Sequence, residues 1–86
     1  MVYRMFFVYI IKSSKLDRYY IGSTENLEKR IKSHNSGKVK STKAYRPWVI
    51  VYTECFENKT TALKREKQIK SYKSGEAFKN LINEKK

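Results

Sequence analysis

The chain has 86 residues, 40% of them apolar, with seven Tyr, four Phe and one Trp, which is enough for one small domain with a thin core and too much apolar bulk for a disordered chain. Twenty Lys and Arg against eight Asp and Glu leave a net charge of +12, a field whose commonest target is a phosphate backbone. A single cysteine, Cys55, rules out an internal disulfide framework, a single histidine, His34, leaves no Cys-rich or His-rich metal cluster, and the longest apolar run, Met5 to Ile11, is too short to span a bilayer.

Met5–Ile11 is rich in β-branched and aromatic residues and apolar on both faces, so it predicts a buried strand. Arg4 before that run is not read as a signal peptide, because no small-residue cleavage site follows; the expectation is an intracellular, cytoplasmic protein associated with the nucleoid. Residues 12–17 read as a turn and Tyr19–Gly22 as the returning strand of a hairpin. Ser23, Thr24 and Asn26 are candidate caps for a helix over about residues 25–34, and Asn35-Ser36-Gly37 reads as its left-handed stop. A basic loop runs to Pro47, followed by a β-rich run from Trp48 to Phe56 in which Trp48 and Cys55 read as core residues. Asn58 and Thr60 are candidate caps for a second helix over about 60–72, and Gly75 precedes a third over about 76–84. The order ββαβαα with an antiparallel hairpin predicts one α+β domain over residues 1–86, a small three-stranded antiparallel sheet flanked by helices.

Side chains that carry chemistry fall at telling positions. With the turn centred between Ser14 and Lys15, Tyr9 lies directly across from Tyr20; a turn shifted by one residue would put the two on opposite faces. Gly22 shares their face and leaves a gap where a backbone or ligand can come close. In the first helix Leu27, Arg30, Ile31 and His34 form one inward stripe, which brings a cation and an imidazole toward the core. The second helix shows the reverse anomaly: Glu66 is the one acid on the inward stripe of Ala62 and Ile69, with Leu63 at its flank. An inward carboxylate needs a cationic partner or a metal. Spacing alone leaves open a plain Tyr–Tyr core pair, a rim histidine, and an ion pair between Glu66 and Arg30.

Taken together, Val8-Tyr9-Ile10, Tyr20-Ile21-Gly22, Arg30 in Asn-Leu-Glu-Lys-Arg and Glu66 in Ala-Leu-Lys-Arg-Glu-Lys resemble the GIY-YIG nuclease superfamily, and in particular small stand-alone members similar to the N-terminal nuclease domain of the excinuclease. The resemblance runs from about Phe6 to Ile82. The glycine of the first motif is replaced by the bulky Phe7, while its tyrosine is kept.

That resemblance implies metal-dependent hydrolysis of DNA phosphodiesters at a single Mg²⁺ (or Mn²⁺), with branched or damaged DNA among the candidate substrates. It implies that Glu66 holds the ion, Arg30 grips the phosphate, Tyr9 acts as base or orienting group, and Tyr20 bonds the water or the phosphate. His34 would share proton transfer or contact phosphate, its ordinary pKa allowing both near neutrality. Asn80 is the best match to the family's final asparagine and would position metal-bound water or the Glu66 carboxylate. Gly22, Lys43 and Arg46 are candidate nucleic-acid contacts. Two other functions stay open: a DNA-binding module of the same fold without turnover, and a nuclease active only with a partner protein that supplies targeting.

Overall fold

A computed structural model describes residues 4–73 and 75–83. Strands β1 (Phe6–Ser13), β2 (Tyr19–Thr24) and β3 (Trp48–Phe56) form an antiparallel sheet in the order β2-β1-β3, with helices α1 (Leu27–Ser36), α2 (Lys59–Ser71) and α3 (Glu76–Asn83) and a short 3-10 helix, Lys43–Tyr45. This is the α+β order expected. The end of the third helix, placed at residue 84, lies outside the described residues. None of the described helices is long and apolar enough to cross a membrane.

β1 is the central strand, so its side chains are claimed from both faces. Val8 and Ile10 pack with Ala62, Ile69, Phe78 and Leu81 beneath α2 and α3. Tyr9 and Ile11 pack with Trp48, Leu27 and Ile31 beneath α1. That two-sided burial explains why the run shows no alternation of apolar and polar residues.

The hairpin departs from the expected register. Tyr9 pairs with Gly22, and Tyr20 pairs with Ile11. The Ser13 hydroxyl accepts the amides of Lys15 and Leu16 at 3.1 Å each, and the Ser13 amide bonds Arg18 O at 2.9 Å. These bonds centre a four-residue loop one residue later than expected. A whole-residue shift of the turn moves the pairing by two, so both tyrosines stay on the α1 face; the expected change of face would need a half-step.

β3 carries a bulge. Ile10 pairs with Tyr52 and Ile11 with Ile50, leaving Val51 extra. Trp48 therefore faces α1, while Tyr52 and Phe56, also at even positions, face α2. Trp48 is buried as expected, and its indole N–H donates to Thr42 O at 2.9 Å. Cys55 is not: it is exposed, because it lies toward the end of an edge strand on the α1 face, next to Phe7 and past the patch that α1 covers.

Caps set the helix ends. Asn26 accepts the Lys29 amide at 3.0 Å and Asn58 accepts the Thr61 amide at 3.1 Å, so α1 begins two residues later than expected and α2 one residue earlier. Gly37 closes α1 in the left-handed region at φ 85°. A Cβ there would also collide with the Arg46 guanidinium. Gly37→Ala should destabilise by about 1–2 kcal/mol through the left-handed backbone alone, read as a lower urea midpoint at unchanged slope; the exposed control Lys40→Ala should stay within about 0.5 kcal/mol.

Candidate active site

The α1 face carries a hydrogen-bonded cluster. Tyr9 comes from the middle of β1 and Tyr20 from β2; Arg30 and His34 sit one turn apart on α1. Arg30 Nε donates to the Tyr9 hydroxyl at 3.2 Å, and that hydroxyl lies 2.9 Å from His34 Nε2. His34 Nδ1 lies 2.9 Å from Thr42 Oγ1. Ring centroids of Tyr9 and Tyr20 are 6.3 Å apart, and those of Tyr20 and His34 are 4.8 Å apart. The inward stripe of α1 is thus explained by a polar partner set and by apolar packing of Leu27 and Ile31.

Burial sets the protonation states. His34 has no exposed surface. Burial, helped by the Arg30 charge, pushes its pKa down to about 4, so the ring is neutral at physiological pH. This corrects the expectation of a histidine titrating near neutrality or touching phosphate. Burial also raises the Tyr9 phenol above its ordinary range, and the bond from Arg30 only partly offsets it. The Arg30 charge acts in the same lowering direction, but desolvation is the larger effect. Arg30 itself is raised, first by its bond to Tyr9.

Gly22 is buried, and the gap above it is filled from within: a Cβ there would lie 2.6 Å from Tyr9 Oη. The glycine admits the Tyr9 ring where a ligand was expected to approach.

Glu66 stands apart from this cluster. It projects from α2, on the other face of the sheet, toward edge strand β2. Ser23 Oγ donates to one carboxylate oxygen at 2.7 Å, and Lys70 Nζ pairs with the other at 2.7 Å. The inward carboxylate therefore has a cationic partner, but it is Lys70, one turn away, and not Arg30, whose guanidinium is turned to Tyr9. The Glu66 charge still reaches Tyr9, where it adds to the upward shift of the phenol. The neighbouring Arg65 grips Glu54 on β3 through Nε at 2.9 Å and Nη2 at 2.8 Å. Consecutive residues of α2 thus reach opposite edges of the sheet, and this pair of anchors fixes the roll of the helix that presents Glu66. The Glu54–Arg65 anchor escaped the sequence reading, since two solvated charges 11 positions apart look the same as a half-buried pair.

Hollows open on both sides of the end of β2. On the α1 side Thr24, Asn26, Lys29, Arg30 and Ser33 line a space of about 150 Å³. On the α2 side Phe6, Ser23, Thr24, Glu25, Lys59 and Ala62 line one of about 210 Å³. Thr24 is common to both, so the tip of β2 is a ridge with Arg30 on one flank and Ser23, hydrogen-bonded to Glu66, on the other.

The remaining expected residues lie outside this arrangement. Asn80 is exposed on α3 and makes no hydrogen bond to Glu66, whose oxygens are held by Ser23 and Lys70. Lys43 is exposed on the 3-10 helix. Arg46 lies over Gly37, where its charge complements the C-terminal end of α1. Thr42 is the residue that sequence reasoning missed. Its hydroxyl is at the end of the Tyr9–His34 chain, and no periodicity could mark a buried threonine in an irregular loop.

A pH dependence follows from the neutral imidazole. Unfolded His34 takes up a proton near pH 6.5, whereas the folded ring resists until about pH 4. The unfolded state therefore binds more protons within that window, and stability falls as pH drops through it. The loss over the full window is on the order of 3 kcal/mol. Urea unfolding at pH 7.5 and 4.5 should show a steeper loss for the wild type than for His34→Gln; parallel losses would count against the neutral buried ring.

Comparison with known proteins bears on the whole chain. The family model for the GIY-YIG catalytic domain matches residues 5–79. A UPF0213 protein of Staphylococcus haemolyticus is 44% identical over 76 residues, covering 87% of this chain and 92% of that protein. A UPF0213 protein of Staphylococcus saprophyticus is 43% identical over 79 residues, covering 91% and 94%. The solution structure of a UPF0213 protein from Bacillus halodurans is 30% identical, covers 86% of this chain and 90% of its own, and superposes with a TM-score of 0.47. On the match of its family model and the identity of its relatives, the chain belongs to the GIY-YIG catalytic domain family.

Proposed function

We propose that this protein is a divalent-metal-dependent endonuclease that hydrolyses a phosphodiester bond of DNA. Family membership supports nuclease chemistry. The observation that carries the reading to this chain is the buried run of hydrogen bonds from Arg30 through Tyr9 to His34, set beneath a cationic hollow at the end of an edge strand.

The charge of +12 brings the polyanion to the surface. The scissile phosphate lies over the tip of β2, with Arg30 and Lys29 on one flank and Ser23, hydrogen-bonded to Glu66, on the other. There the Arg30 guanidinium, already fixed by Tyr9, offers its remaining donors to oxygens whose negative charge grows as water attacks phosphorus. Tyr9 is a neutral phenol and so does not act as a preformed phenolate. It accepts a proton from the attacking water while passing its own to His34 Nε2. The phosphate charge counters that of Arg30, one of the two causes that depress His34, so the imidazole becomes a better base when substrate is bound.

Glu66 is the residue to hold the metal ion. Among the described residues no three His, Cys, Asp or Glu side chains form a metal cluster, but a hard cation that keeps most of its waters needs only one or two carboxylates. A carboxylate backed by the Ser23 hydroxyl suits such an ion, and Lys70, which pairs with the second oxygen, would swing aside to admit it. When bound, the ion would neutralise charge on the phosphate and the departing oxygen.

Purified protein should cut plasmid, flapped or branched DNA with Mg²⁺ or Mn²⁺. Glu66→Gln should abolish cleavage while leaving salt-dependent binding intact, and Arg30→Ala should slow it by about 10²–10³-fold. Absence of cleavage by the wild type across these substrates, or equal cleavage by Glu66→Gln, overturns the reading and leaves a DNA-binding module.

A further inference from the structure

We infer that Thr42 is a positioning residue that holds His34 as the Nδ1–H tautomer, leaving Nε2 open to receive the Tyr9 proton. The inference rests on the proposed nuclease reading for its catalytic meaning and on geometry alone for the tautomer.

Hydrogen-bond accounting decides between the two forms of the neutral ring. Tyr9 Oη, His34 and Thr42 Oγ1 are linked at 2.9 Å and 2.9 Å, all three residues have at most 1% relative exposure, and Arg30 Nε donates to Tyr9 Oη at 3.2 Å. With the proton on Nδ1, every hydrogen finds an acceptor. Nδ1–H points at Thr42 Oγ1. The Thr42 hydroxyl donates to Val39 O at 3.3 Å, a carbonyl that also receives the Thr42 and Lys43 amides. The Tyr9 hydroxyl donates to Nε2. With the proton on Nε2 instead, Tyr9 Oη faces two donors, Arg30 and His34, and its own hydrogen has no protein acceptor among the described residues. A buried hydroxyl without a partner is the costlier arrangement.

The loop that carries Thr42 is built to hold this oxygen in place. Thr42 O accepts the Trp48 indole N–H at 2.9 Å and the Tyr45 amide at 3.1 Å. Trp48 is itself buried in the cluster that includes Tyr9. The threonine is thereby fixed between the 3-10 turn and the core, and the imidazole is fixed by the threonine.

The tautomer decides which way protons can run. As the water oxygen, brought against Tyr9 Oη only when the phosphate seats beside Arg30, bonds to phosphorus, one water proton moves to Tyr9 Oη and the phenol proton moves to His34 Nε2, while the departing oxygen keeps the electron pair of its broken bond and takes a proton from solvent. Tyr9 ends neutral, and the imidazolium keeps its Nδ1–H on Thr42. After product leaves, the proton returns along the same path to solvent. The opposite tautomer already has a hydrogen on Nε2 and blocks the transfer.

His34 is the only histidine in the chain, so long-range ¹H–¹⁵N correlation spectra of the uniformly labelled protein report its tautomer without assignment. At pH 7.5 the wild type should show a protonated Nδ1 and a bare Nε2. Thr42→Val should shift the ring toward Nε2–H and slow the single-turnover cleavage rate by about a hundredfold with DNA affinity unchanged. Thr42→Ser, which keeps the oxygen, should retain the wild-type spectrum and most of the rate. A wild-type ring protonated on Nε2, or a folded Thr42→Val protein with an unmoved tautomer, overturns the inference. Should Thr42→Val not fold, the wild-type and Thr42→Ser spectra decide it. If the wild type cuts no DNA, the spectra still decide the tautomer, and the failure falls on the nuclease reading alone.

Discussion

The molecule depends on one strand being buried from both sides. β1 supplies Val8 and Ile10 to the layer under α2 and α3, and Tyr9 and Ile11 to the layer under α1. Alternation of side chains along a strand makes these two sets inseparable. A pairing slip by one residue would exchange the two sets between the faces and carry the Tyr9 phenol away from Arg30 and His34. The polar cluster is therefore held in place by the same register that closes the hydrophobic core.

Electrostatics in this site are governed by desolvation more than by the large surface charge. Despite the excess of cations, the phenol of Tyr9 is raised and the imidazole of His34 is lowered, and burial is the first cause of each. Both groups rest neutral, joined by a buried hydrogen bond of 2.9 Å that links them into one network with Thr42. No lysine is among the causes of either shift; the one cation that acts on both groups is Arg30.

Much of the fold was legible because its signals are local: β-branched runs, Asn caps before both long helices, and a glycine stop after the first. The clustering of Tyr9, Tyr20, Arg30 and His34 was legible too, through a stripe on α1 that mixed charge with apolar residues. What escaped was non-local. The hairpin centre was decided by the Ser13 hydroxyl, a choice that turn statistics do not capture. The bulge at Val51 interrupts a β-rich run without any glycine to mark it. The partner of Glu66 proved to be its own helix neighbour Lys70, since Arg30 was already engaged by Tyr9. Thr42 sits in a loop where periodicity has no meaning, and Cys55 was misread because a β-rich run does not say which of its residues lie past the cover of the overlying helix.

The extra residue in β3 has a broader consequence. Because Val51 resets the alternation, Trp48 answers to the helix that carries Arg30, while Tyr52 and Phe56 answer to the helix that carries Glu66. The two halves of the strand can accordingly drift in composition without disturbing one another, so the α1 layer and the α2 layer become separately tunable modules. Any chimera that joins the first half of this strand to the second half of another must preserve that one-residue offset, or it will turn one module inside out.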